Sequence, residues 1–160
     1  MHNTKKSQVF TIDFLLASFI FSVLVIITML YWNNYNAKLE HDIKSNLLET
    51  KAFQISNVLV KSEGSPKSWN PDNVQVIGLA ESDRVLSSEK VNSFASMPIN
   101  KTKRLLQTHN FNFSFVLKDT GGDIISSYGD NISNPVISIN IRRYVLYNDE
   151  EAVVEFSMWE

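Results

Sequence analysis

Between Phe14 and Trp32 the chain reads FLLASFIFSVLVIITMLYW, with no charged residue, and this run limits what the rest can fold into. At about 1.5 Å per helical residue it extends roughly 28 Å, the thickness of a bilayer's hydrocarbon core. It is apolar on every side, so as a helix it has no face to turn to water and needs lipid or other helices around it. It exceeds the apolar stretch of about 7–15 residues typical of a secretory signal, and no A-x-A-like site follows. The nearest candidate, Tyr35-Asn36-Ala37, puts tyrosine where a small residue is required. The expectation is a retained transmembrane anchor. Lys5 and Lys6 precede the run and charges of both signs follow it. The positive-inside rule then places the N-terminus in the cytoplasm and the C-terminal domain outside the cell.

The residues after Trp32 suffice for one small domain with a modest core. A formal net charge of -2 over 160 residues offers no basic surface for nucleic acid and no strong field for a charged substrate. With no cysteine, an exported domain must hold together by packing alone or live where disulfides are not the usual solution.

Beyond Trp32 the sequence turns polar yet keeps a helical period. Leu39, Ile43 and Leu47 recur at four-residue spacing, and Leu48, Ala52, Ile55 and Leu59 follow one step round. With no proline or glycine before Gly64, one continuous helix from Val9 to Lys61, roughly 80 Å long, is the economical reading. The alternative is two helices parting at Asn33-Asn34. Gly64-Ser65-Pro66 and Asn70-Pro71-Asp72 bracket Trp69 in a turn-rich linker, where the indole is expected to plug the loop onto the domain. Val74–Leu79 reads as a short strand. Ser87 or Ser88 can cap a helix over Glu89–Ser96, and Pro98 can open a second one through Leu106.

From Phe111 the period becomes two: Phe111, Phe113, Phe115 and Leu117 share one face, Asn112, Ser114, Val116 and Lys118 the other. Asp119–Asp123 is a hairpin turn, and Ile124–Tyr128 returns as the partner strand. Ile137, Ile139 and Ile141 alternate cleanly until Arg142-Arg143, where a bulge or face switch is expected. After a turn at Asn148–Glu150, Ala152, Val154, Phe156 and Met158 face inward and Val153, Glu155 and Ser157 outward. The fold class is therefore α+β. A long N-terminal transmembrane-to-amphipathic helix packs on a small antiparallel sheet with short helices, and its amphipathic half covers the sheet.

No catalytic constellation emerges. His2, His41 and His109 fall in three different elements and share no ligand spacing; there is no G-x-S-x-G, P-loop or dinucleotide fingerprint. Asp119, Asp123 and Asp130 are accounted for by turn chemistry rather than by a metal. No enzyme, cofactor or metal site is expected. Asn100, Asn112 and Asn131 each begin an Asn-x-Ser/Thr sequon and are candidate glycan acceptors on an exported domain. Asp13 is the informative charge. A carboxylate beside a membrane helix is costly unless hydrated or paired, and the bland account is an acid in the first helical turn, facing the positive end of the dipole.

The segment Lys5-Lys6-Ser7-Gln8-Val9-Phe10-Thr11-Ile12-Asp13-Phe14 resembles the class III signal of archaeal type IV pilins and archaellins. In that family a short basic leader precedes a small residue, often a glutamine, then an acid and an unbroken apolar helix. The resemblance implies cleavage by a prepilin peptidase near Ser7, Gln8 and Val9, and retention of the helix. It also implies that Asp13 pairs with the new α-amino group of a neighbouring subunit. The helix, the cysteine-free β-rich head and the terminal Val136–Trp159 hairpin are similar to archaeal pilin-like proteins too. Ser7 stands where glycine or alanine is usual; cleavage after it makes Asp13 the sixth residue, and cleavage after Gln8 makes it the fifth. On this reading residues 1–8 are the leader, 9–32 the transmembrane helix, 33–61 its amphipathic continuation and 62–160 the extracellular head. The expected partners are the membrane, other pilin-like subunits and the peptidase, and the expected role is a pilin-like subunit, with minor pilin and pseudopilin among the options, of a surface filament or filament-based machine. The alternative is a single-pass anchored protein whose outer domain binds, senses or scaffolds without forming a filament.

Overall fold

The structure, a computed structural model, describes residues 4–131 and 135–160, with side chains described from residue 12 onward. It divides into two compact units, Met1–Lys44 and Ser45–Glu160. Helix α1 (Thr4–Lys61) supplies all of the first unit that is described and continues into the second. No break occurs at Asn33-Asn34, since two weak helix formers without proline or glycine remove no backbone hydrogen bond. The helix also begins before Val9, so residues 4–8 already belong to it.

In the second unit α1 brings Leu48, Ala52, Ile55 and Leu59 into the core while Leu47 stays exposed, as do Leu39 and Ile43 in the first unit. Of the two stripes seen in the sequence, only one meets a partner. The carbonyls of the last turn, which have no acceptor role left within the helix, are taken up by the chain that follows. Val58 O accepts from the Ser62 amide at 3.0 Å, Leu59 O from Leu79 at 2.9 Å and Val60 O from Arg84 at 3.0 Å.

The strand expected at Val74–Leu79 does not form, because its backbone bonds are divided: Gln75 and Val76 pair with Ser65 as an isolated bridge, while Leu79 donates to Leu59 O at the end of α1. Strand pairing starts later, at β1 (Ala80–Ser82) and β2 (Val85–Leu86). Gly78 instead serves a close approach: a Cβ there would lie 2.3 Å from Ser62 O and 2.4 Å from Gly64 N. Trp69 is the plug the sequence suggests, buried with its indole N–H donating to Gly78 O at 2.8 Å.

Helices α2 (Ser88–Ala95) and α3 (Ile99–Leu105) follow. Ser87 holds the N-cap position of α2 without a side-chain cap bond, and Pro98 holds that of α3. Strands β3 (Asn112–Asp119), β4 (Ile124–Gly129), β5 (Ser138–Tyr147) and β6 (Glu150–Trp159) complete a sheet in the order β1-β2-β5-β6-β3-β4. The sheet is mixed rather than antiparallel, because β2 joins the end of β5 in parallel, Val85 beside Leu146 and Leu86 beside Tyr147. At the β5–β6 turn Asn148 and Asp149 both take positive φ, 51° and 65°, the pair of angles a two-residue type I′ hairpin demands. On the inner face Phe113, Phe115, Leu117, Val154, Phe156 and Met158 are fully buried against α1 and α2. Phe94 of α2 meets Phe115 edge-on at 5.4 Å.

The expected bulge at Arg142-Arg143 is absent: β5 pairs with β6 in unbroken register from Ser138 opposite Trp159 to Tyr147 opposite Glu150. Arg143 occupies an inward position because its guanidinium lies over the Phe53 ring, 4.7 Å from the centroid. The alternation thus continues through a charged residue. On the outer face Glu155 bonds to Lys118 at 2.7 Å and to Arg142 at 2.9 Å, bridging three strands. The Lys118 hydrogen bond holds the Glu155 carboxyl below its ordinary 4.5; partial burial opposes this, and the charges of Lys118 and Arg142 add to it.

Two stability predictions follow from these contacts. Gly78→Ala forces backbone against backbone and lowers the urea midpoint, by about 1–3 kcal/mol in unfolding free energy. A depressed folded-state pKa stabilises above the unfolded value and ceases to do so as pH falls through the folded one. The gap in urea midpoint between the native chain and Glu155→Gln is therefore widest above pH 4.5 and closes on acidification.

Candidate functional site

The apolar part of α1 is the first candidate. It is long and apolar enough to cross a membrane by length and composition, and none of it is buried within the protein. Two of its hydroxyls bond to the preceding turn: Ser22 Oγ donates to Ser18 O at 2.9 Å and Thr28 Oγ1 to Leu24 O at 2.8 Å. Such bonds to the preceding turn let hydroxyls sit in an apolar medium without stranding a donor. At the end of the run Tyr31, Trp32 and Tyr35 are exposed, three rings suited to the boundary between lipid and water.

Asp13 is exposed at the start of this stretch. Because α1 begins at Thr4 and has no acid in its first turn, the helix-dipole account of Asp13 fails. Lys5, Lys6, Ser7, Gln8 and Val9 lie on the same helix, and their side chains fall outside the described residues.

The sequon asparagines are all exposed, and they are scattered: Asn100 in α3, Asn112 at the start of β3 and Asn131 after β4. Asn112 Oδ1 accepts from Lys103 Nζ at 2.9 Å. Ser133, the third residue of the last sequon, lies outside the described residues. The loop aspartates are engaged in structure. Asp119 Oδ1 accepts from the Asp123 amide at 2.8 Å, and Asp130 pairs with Lys103 at 2.8 Å. His41 lies on α1 and His109 after α3, His2 lies outside the described residues, and no metal-holding group of side chains gathers among those described. Tyr128 is ionisable and packed inside: its hydroxyl donates to Met97 O at 2.6 Å, and burial pushes its pKa above 10.0. It fastens β4 to the loop between the two short helices.

The sequence reading missed a basic groove. Lys61 at the end of α1, Arg84 in the β1–β2 turn and Arg142 and Arg143 in β5 line one cavity of about 310 Å³, together with Phe53 and Asn57. These residues come from three elements far apart in the chain, so no spacing announces them. The stumble in alternation at Arg142-Arg143 was the one available signal. No family model, no curated protein and no solved structure matches this chain.

If α1 is held by lipid, Leu24→Arg puts a charge mid-span at about 2.5–3.5 kcal/mol. The fraction of the chain that stays with membranes through alkaline carbonate washing then falls sharply, whereas Leu24→Ile leaves it unchanged.

Proposed function

We propose that this chain is an archaeal type IV pilin-like subunit, in the manner of a minor pilin or pseudopilin, held in the membrane by Phe14–Trp32 and assembled through that helix. The observation that carries the reading is the basic segment at Lys5-Lys6 leading through Asp13 into an apolar helix that runs unbroken into the core of a β-rich domain. A helix exposed along its apolar half and buried along one stripe of its polar half suits a subunit that gives one end to a filament and displays the other. In such a filament, lateral apolar contact supplies most of the cohesion. Asp13 is costly there alone and tolerable against a neighbour's ammonium, so it sets register more than it adds stability. The head faces outward, with exposed Asn100, Asn112 and Asn131 available to glycans.

The mass of the mature N-terminus tests this reading. Loss of the leader after Ser7 or Gln8 agrees with it; an intact Met1 overturns it in favour of a single-pass anchored surface protein. In processed protein, Asp13→Ala leaves membrane insertion intact and abolishes or shortens surface filaments, and filaments of unchanged length and number would remove Asp13 from the mechanism.

A further inference from the structure

We propose that the open edge of β5, with the basic groove beside it, is a docking site for an extended acidic segment of a partner protein, bound as an added strand.

The edge is the first observation. β6 covers one side of β5 along its whole length, but β2 covers the other side only at Leu146 and Tyr147. Among the described residues no strand pairs with β5 on that side from Ser138 to Val145. Its backbone donors and acceptors there are a template for another strand. The inward residues Ile139, Ile141 and Arg143 are only half-buried, although Val154 and Phe156 beside them on β6 are fully buried. That leaves room for a further row of side chains.

Charge is the second observation. Edge cations by themselves are a common guard against unwanted pairing. A guard does not explain why Lys61 and Arg84, from other elements, converge on the same cavity, nor why no carboxylate lines it. Arg84 is fixed there by its backbone, whose amide donates to Val60 O at 3.0 Å and whose carbonyl accepts from Leu146 at 2.8 Å. Arg142 is already committed to Glu155. Arg143 is compensated only in part: its guanidinium lies over the Phe53 ring, it reaches Ser56 Oγ only at 3.4 Å, and its Nε–H is buried with no acceptor. A guanidinium with five donors and one long hydrogen bond calls for anionic oxygen. A strand laid along β5 would set its side chains beside Arg142 on one face and Arg143 on the other. Carboxylates at successive positions would then meet cations on both sides. This inference does not depend on leader processing or on filament formation.

The test uses the full chain in nonionic detergent and a ten-residue peptide in which pairs of glutamates at successive positions alternate with pairs of threonines, so that carboxylates fall on both faces of the strand, with the threonine–lysine analogue and inorganic phosphate as controls. The glutamate peptide is expected to bind, more weakly as salt rises, and to slow hydrogen exchange of the β5 amides between Ser138 and Val145. Arg143→Gln is expected to weaken binding about tenfold. Lys61 and Arg84 are exposed, so the double variant Lys61→Gln/Arg84→Gln keeps the fold and also weakens binding about tenfold. The proposal is overturned if the lysine peptide binds as well, if neither variant changes the affinity, or if binding leaves β5 exchange unchanged. It is likewise overturned if phosphate occupies the groove while the glutamate peptide does not bind.

Discussion

One contact governs the head domain: the stripe Leu48, Ala52, Ile55 and Leu59 of α1 laid on the phenylalanine-lined face of the sheet. The sheet has one apolar face, and without a cover it would expose Phe113, Phe115 and Phe156, each worth about 1.5–3 kcal/mol when fully buried. The helix in turn gains tertiary packing that propensity alone does not supply in its polar half. The chain leaving α1 completes the arrangement by satisfying the last-turn carbonyls from Ser62, Leu79 and Arg84. The linker is thereby a cap on the helix as much as a route to the sheet, and Trp69 and Gly78 are held tightly for that reason.

The same helix carries a second, different demand. Its apolar half is exposed in the isolated chain, and the hydroxyls of Ser22 and Thr28 are bonded back to the preceding turn, which suits an apolar medium. Two environments are thus written into one helix, a single stripe for the sheet and an all-round apolar surface for lipid or neighbouring helices. Asp13 stands at the beginning of the second part, past the first turn of the helix as it runs in the unprocessed chain. That position is what gives the carboxylate its interest.

Periodicity made most of this legible. The α+β class, the continuous helix, the stripe that packs, the inward faces of β3 and β6 and the Asn148 turn all follow from patterns of two or three to four residues along the sequence. Patterns failed where the backbone served something other than its own element. Val74–Leu79 has strand composition, but its hydrogen bonds are divided among Asn70, Ser65, Trp69, Ser87 and, at Leu79 alone, the end of α1. Arg143 breaks the apolar alternation, yet a ring from α1 makes its inward position tenable. The parallel pairing of β2 with β5 is invisible for the same reason, being set by where the linker re-enters the sheet. Of the candidate sites, Asp13 and the sequons were plain in the sequence. The basic groove was not, because Lys61, Arg84 and Arg143 meet only in three dimensions.

The proposed function requires the apolar half of α1 to be an assembly surface as well as an anchor. The chain has no cysteine of its own, so single cysteines placed at Leu16, Val23 and Leu30 report on that helix alone. Oxidative or short bifunctional cross-linking in intact cells should give a ladder of covalent multimers for at least one of these positions, with none for a cysteine at exposed Lys67 on the head. Monomer alone at every helix position would contradict the account and leave α1 a simple anchor.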